Sequence, residues 1–319
     1  MLFTRKSVRN QQAFALLLSM LVMTVLFIII LEFRWASLLD MKCGANFQKT
    51  MLLRNVARAG LAHAVQILRM SEKKYGAGDP WYNYYPGLSL ANIFIVNNQE
   101  DFQYSISIED EDGKINLNNL ELNEEIIKLW MLFGYTQVRA AAFRDCLLDW
   151  LDKDNNHRLN GKEDDYYQTL TPRYHCKNAP METLEEIFRI AEFNQENKLF
   201  FYGQNPKKKK LRDLATVFTG QEKKININTA SSDILSIYLD LHTKQIEEII
   251  KSRKFSSYKE DNDLKNLKIE KKDKIKFTSQ FFRISIQAEK NDSSLRRYID
   301  AVVHINEKKE VTFLYYLEK

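Results

Sequence analysis

Six positions in one short stretch carry the clearest chemistry in this sequence. Asp152, Asp154, Asn156, Arg158, Asn160 and Glu163 fall at positions 1, 3, 5, 7, 9 and 12 of a loop, the spacing of calcium ligands in an EF-hand. A tight loop turns alternate side chains inward, so their oxygens converge. Position 7 gives its backbone carbonyl, so Arg158 is no obstacle, and Leu159 at position 8 suits an apolar plug. His157 stands where the sharp turn wants glycine, which predicts a hard-cation site of related design rather than a true EF-hand. Asp164 and Asp165 follow at once. Carboxylates this dense repel one another without a cation, and many flexible oxygen ligands suit calcium better than magnesium. Two other readings use the same residues. One is an exposed acidic loop whose Asp and Asn cap helices. The other is a hydrolase with paired carboxylates as acid and base. No nucleophile, oxyanion device or pocket motif accompanies the carboxylates, so no enzyme is expected.

Cys146 and Cys176 bracket the loop. A bridge between them would close about 30 residues and contribute ~3–4 kcal/mol; the alternative is two reduced thiols. Cys43 lies far upstream and is read as free.

The elements around the loop are mostly helical. Glu124–Phe133, Val138–Leu151, Thr183–Phe193, Ser231–Leu239 and Thr243–Lys251 have helical periodicity, and Thr183 and Ser231 are good helix starts. The last two helices suggest a helix-hairpin-helix. Its turn, Leu239 to Thr243, carries Asp240 and no glycine, which argues against phosphate and nucleic acid and for a packing module. Strand alternation marks Gln103–Glu109, Phe281–Ala288, Tyr298–Ile305 and Val311–Leu317. The last three suggest a meander that the first joins. The expectation is an α+β fold: a long N-terminal helix and a small antiparallel sheet, with a large all-α domain inserted. Trp81, Tyr82, Tyr84 and Tyr85 read as a packed loop or an aromatic docking surface, and His63 and His304 as packing or solvent-facing residues.

Residues 13–31 contain no charge, about enough to cross a hydrocarbon core of roughly 30 Å. Arg5, Lys6 and Arg9 precede them without an acidic residue, which keeps the N-terminus cytoplasmic and exports the rest. The apolar run is longer than that of a cleaved signal. Helical spacing continues through Val56, Leu61, Ala64 and Leu68, predicting one helix over about 14–70, loosened at Gly44. Its second half is amphipathic and must pack on something. The chain has 319 residues, 45% of them hydrophobic, and a net charge of +5, which does not point to nucleic acid. The short Lys runs, Lys207–Lys210 and Lys271, Lys272 and Lys274, read as solvated loops rather than a phosphate-binding patch.

A short basic leader, a small residue, an unbroken apolar helix and an amphipathic continuation resemble a type IV pilin or pseudopilin. Further motifs are similar to the minor pseudopilin K family of type II secretion: Asn55 to Leu61 (NVARAGL), Asp110 to Asn118 (DEDGKINLN), Asp149 to Asp154 (DWLDKD), Asn160 to Tyr167 (NGKEDDYY) and Ile225 to Ala230 (ININTA). The resemblance implies cleavage by prepilin peptidase between Ala13 and Phe14, where the family has Gly at the first position, and methylation of the new N-terminus. Leu18 stands where most pilins carry Glu, which suits a subunit with no neighbour above it. It also implies calcium on the acidic loop, with Asp152, Asp154, Asn156, Arg158, Asn160, Glu163, Asp164 and Asp165 as the candidate set. The helical insert would be SAM-like, and the partners minor pseudopilins I and J, with H or the major pseudopilin.

The implied division is leader 1–13, membrane and stalk helix 14–70, first part of the α+β domain 71–120, inserted helical domain 121–275 and closing strands 276–319. The implied place is the inner membrane of a Gram-negative bacterium, single-pass, with most of the chain periplasmic. A minor pilin of a type IV pilus or DNA-uptake system is the alternative.

Overall fold

The computed structural model describes residues 4–86, 93–97, 102–193, 210–220, 222–267, 269–291 and 294–319. The Lys207–Lys209 run lies outside them. The chain divides into two compact units, Met1–Asn55 and Val56–Lys319.

Helix α1 runs from Thr4 to Met70. Among the described residues it is the one helix long and apolar enough to cross a membrane. It stays helical through Ala13–Phe14 and through Gly44, so the expected loosening does not occur: one exposed glycine lowers helix propensity without removing a hydrogen bond. In the second unit, Val56, Ala57, Leu61, Ala64, Ile67 and Leu68 are buried. Gly60 sets how closely this face approaches the sheet. A Cβ there would lie 2.8 Å from the Tyr104 ring and 2.9 Å from Ile286.

The other elements, in chain order, are β1 (Ile93–Asn97), β2 (Phe102–Asp110), β3 (Ile115–Asn116), α2 (Asn123–Leu132), α3 (Gln137–Leu151), α4 (Asp164–Tyr167), α5 (Leu211–Leu214), β4 (Ala215–Thr216), β5 (Ile225–Asn226), α6 (Ser232–Leu239), α7 (Thr243–Arg253), β6 (Ile275–Lys276), β7 (Phe281–Lys290), β8 (Arg296–Ile305) and β9 (Val311–Glu318). Five strands make one antiparallel sheet in the order β1-β2-β7-β8-β9. The four expected strands are present; β1 was not expected. Period-two alternation places Ile106, Ile108, Phe282, Ile284, Ile286, Ile299, Ala301 and Val303 on one buried face. Trp81 is fully buried with its ring 5.1 Å from Phe282, so it packs within the fold. The fold is α+β, as expected.

Strands β2 and β7 are neighbours, so everything between them is an insertion with its own large apolar core. The insertion is not purely helical. It holds two short parallel bridges, β3–β4 and β5–β6, built on a repeated device. In Ile115-Asn116-Leu117-Asn118, the Asn118 amide donates to the Met181 and Val217 carbonyls at 2.9 Å, and its oxygen accepts from Met181 N at 2.8 Å. In Ile225-Asn226-Ile227-Asn228, Asn228 does the same to the Tyr258 and Phe277 carbonyls and Tyr258 N. Each latch precedes a helix pair, α2–α3 or α6–α7. The expected helix over Thr183–Phe193 is only a 3-10 turn, Leu184–Arg189. Its capping box forms, but Ile190 turns extended and is buried, so core packing overrides local propensity.

Buried charges join insertion to sheet. Glu111 accepts from Lys114 Nζ and from Arg283 Nε, both at 2.9 Å, and from the Thr216 hydroxyl. Burial alone would raise this carboxyl, but Lys114 and Arg283 outweigh it and hold it at about 2. Asp110 accepts from Asn226, Thr229 and Ser279. Burial and then the Asp112 charge raise it to about 7. A Cβ on Gly113 would lie 2.7 Å from Thr229 Oγ1, so these two motif segments touch. At the α6–α7 turn Asp240 has φ 52°, holding the left-handed position without glycine, and it accepts from Lys128 and Lys271.

Asn228→Ala removes three buried hydrogen bonds and strands their backbone partners. A loss of about 2–4 kcal/mol is expected by chemical denaturation followed by tryptophan fluorescence; an unchanged midpoint would contradict the latch.

Candidate metal site

The loop hangs from the end of α3. Thr136 caps that helix, its hydroxyl accepting from Arg139 N at 3.4 Å. Asp145, Cys146 and Asp149 on its inner face are buried. At the far end of the loop, Tyr167 in α4 is fully buried, 5.1 Å from the Trp150 ring, and its hydroxyl accepts from Ala191 N at 3.1 Å. The loop is thus held at both ends by the core.

Of the eight expected metal residues, the structure brings three together. Carboxylate oxygens of Asp152, Asp154 and Glu163 lie within 4.8 Å of one another. Glu163 is 1% exposed, and neither of its oxygens, nor Asp152 Oδ1, has a hydrogen-bond partner. Burial, then the charges of Asp149 and Asp152, push the Glu163 carboxyl up to about 7. Buried acceptors without donors are costly, and a cation removes that cost. The donor set therefore fits a hard, oxygen-liganded cation.

The other five point elsewhere. Asn160 gives its side chain and its backbone N–H to Asp145 Oδ2, at 3.0 and 3.2 Å. Asp164 accepts from Cys176 N at 2.9 Å and meets His175 at 3.1 Å; the Cys176 N–H bond first lowers its pKa. Asp165 is exposed and pairs with His157 at 3.1 Å. Asn156 is exposed, its N–H donating to Asp154 Oδ1 at 2.8 Å. Arg158 does more than offer a carbonyl. Its Nη1 bridges Asp149 Oδ1 at 2.6 Å and Asp152 Oδ2 at 2.5 Å, so a guanidinium already neutralises part of the cluster. Leu159 is no plug: it is 96% exposed. Without glycine at His157 the loop does not fold its eighth residue inward.

Asp149 was missing from the expected set, although it opens the DWLDKD motif. It is fully buried and also accepts from Arg158 N at 3.2 Å. Gly161 was missed as well. A Cβ there would fall 1.7 Å from Asp149 Oδ2. Cys146 and Cys176 are free thiols rather than a bridge. Their sulfurs donate to loop and helix carbonyls, Asn160 O at 3.3 Å and Asp149 O at 3.6 Å, and burial pushes both up to about 12.

Residues 113–198, which contain this loop, match the family model for type II secretion system (T2SS), protein K. Among curated proteins, the chain is 24% identical over 169 residues to type II secretion system protein K of Pseudomonas aeruginosa, covering 50% of this chain and 46% of that relative. It is 34% identical over 58 residues to the Klebsiella pneumoniae protein K, 18% of each chain. The match therefore spans about half the length of the first relative. Among solved structures, a chain of the GspK-GspI-GspJ complex from enterotoxigenic Escherichia coli superposes with a TM-score of 0.67 at 16% identity, covering 85% of this chain and 97% of that one. The fold class is α+β, a long N-terminal helix and an antiparallel sheet with a large insertion, and that solved chain shares it. In its matched stretches the chain is similar to type II secretion system protein K, by the family model over residues 113–198 and by both curated relatives.

Gly161→Ala must displace the Asp149 carboxylate and break its bonds from Arg158. A loss of about 3 kcal/mol is expected in thermal or chemical unfolding. The control Gly44→Ala, with nothing within 4 Å of the added carbon, should be neutral or stabilising. Equal effects of the two would contradict the packing described.

Proposed function

We propose that this chain is a minor pseudopilin at the tip of the type II secretion pseudopilus, starting or capping the fibre for protein export across the outer membrane. The match of residues 113–198 to the protein K model carries this reading, and the shared fold supports it. α1 anchors the chain in the inner membrane, with the N-terminus cytoplasmic and the rest periplasmic. Prepilin peptidase cuts the Ala13–Phe14 bond. Leu18 in place of glutamate suits a subunit with no neighbour above it, since an unpaired carboxylate in a membrane helix is costly. Its partners are minor pseudopilins I and J, joined below by H or the major pseudopilin. The role is assembly, not catalysis.

The same reading gives the acidic loop calcium, held by Asp152, Asp154 and Glu163. Bound there, the ion would supply positive charge to oxygens that no donor reaches. Glu163 brings both its unpartnered oxygens from the start of α4, and Asp152 brings one from the end of α3. Arg158 meanwhile keeps Asp149 and the other Asp152 oxygen neutralised.

Two measurements follow. Photocrosslinking from positions along α1 in secreting cells is expected to capture pseudopilins I and J; capture of neither would end the tip assignment. In melting of the full chain in detergent, calcium is expected to raise the Tm of the wild type and not of Glu163→Gln. Without calcium, Glu163→Gln should melt above the wild type, because it removes an uncompensated buried charge.

A further inference from the structure

The Arg158 side chain has a place in the acidic loop that ligand spacing does not assign. Its Nη1 lies between two carboxylates, 2.6 Å from Asp149 Oδ1 and 2.5 Å from Asp152 Oδ2. Both distances fall at the calcium–oxygen range of roughly 2.3–2.6 Å, whereas guanidinium–carboxylate bonds usually run to roughly 2.7–2.9 Å. The Arg158 backbone N–H takes the other Asp149 oxygen at 3.2 Å. The Asp149 side chain is fully buried and that of Asp152 nearly so, so solvent screens neither well. Among the described residues, Asp149, Asp152, Asp154 and Glu163 form ion pairs with Arg158 alone. The other basic groups of the loop are turned to other partners. His157 meets Asp165, Arg144 meets Asp145, and Lys162 lies over the Tyr166 ring.

We propose that Arg158 Nη1 occupies the place of a cation, so that the acidic loop takes one divalent ion and carries its second positive centre within the chain. This inference rests on the calcium reading of the loop. Asp152 faces two ways. Its Oδ2 meets the guanidinium, while its Oδ1 is buried without a partner, as are both oxygens of Glu163. A carboxylate divided in this way bridges two positive centres, one of them Arg158 and the other the proposed ion. The charge count agrees. One guanidinium against four carboxylates leaves room for one divalent ion; a second would make the cluster positive beside a fixed charge. A guanidinium is always charged and more weakly hydrated than an ammonium, so it stays on buried Asp149 whether or not the loop is loaded. Filling and emptying then involve only the half of the cluster formed by Asp152 Oδ1, Asp154 and Glu163.

The test is calorimetric titration of calcium into the chelator-treated full chain in detergent, read as ions bound per chain. The wild type is expected to bind one. Arg158→Met opens the position between Asp149 and Asp152 and should bind two, and adding Asp149→Asn to it should return the count to one. Arg158→Lys, which keeps the charge, should bind one. So should Lys153→Met, which removes an exposed charge from the same loop. A second measurement needs no variant. Modification of Arg158 by phenylglyoxal, followed by mass spectrometry, should be at least about tenfold slower than that of exposed Arg173, as for a side chain held by charged hydrogen bonds. It should be equally slow with calcium and with chelator. A wild type that binds no ion overturns the calcium reading itself. One ion in the wild type and still one in folded Arg158→Met overturns only the stand-in. Two ions in the wild type, or Arg158 modified as fast as Arg173 once calcium is added, overturns it as well.

Discussion

The constraint on which this structure turns is that a buried carboxylate needs positive charge or donors. Asp110, Glu111, Asp112, Asp145, Asp149 and Glu163 are all buried. The first five have partners. Glu111 is held between Lys114 and Arg283, Asp112 takes Lys276 and two backbone N–H groups, and Asp149 takes Arg158. These bonds pin the insertion to the sheet and the acidic loop to α3. Glu163 is the exception, buried beside Asp152 with no donor to either of its oxygens. The proposed cation would give these oxygens the positive charge that the other buried acids receive from the chain itself.

The two asparagine latches explain how a long insertion can leave and rejoin a small sheet. Each closes a two-residue parallel bridge, and each sets the start of a helix pair. The second latch also touches the sheet directly, since Asn226 donates to Asp110 and Ser279. The acidic loop branches from the first pair, after α3. Strain or charge imbalance in the loop therefore reaches the core through Trp150 and Tyr167 rather than ending at a mobile tip.

Much of this was legible in the sequence. The helices α2, α3, α6 and α7 and the three closing strands follow from periodicity, although residues 145–151 of α3 are buried all round and β9 buries no residue fully. Asp152, Asp154 and Glu163 follow from ligand spacing. What spacing cannot show is competition from residues distant in sequence or from the backbone. Asn160 and Asp164 have the right type and position, yet Asp145 and Cys176 N claim them. Asp149 and Gly161 matter because they pack against each other across the loop, a contact that neither residue announces alone. Asn118 and Asn228 were visible as motif letters, but their role is to satisfy carbonyls that no periodicity reveals. The 3-10 turn at Leu184–Arg189 was over-read as a helix because its capping box is genuine while its continuation is set by core packing.

The central claim is that the acidic loop is completed by a cation. Calorimetric titration of calcium into the chelator-treated full chain tests it most directly. At least one ion should bind with measurable heat, and Asp152→Asn or Glu163→Gln should abolish that heat while Asn160→Ala leaves it in place. No binding heat in the wild type, or equal binding in Glu163→Gln, would contradict the account.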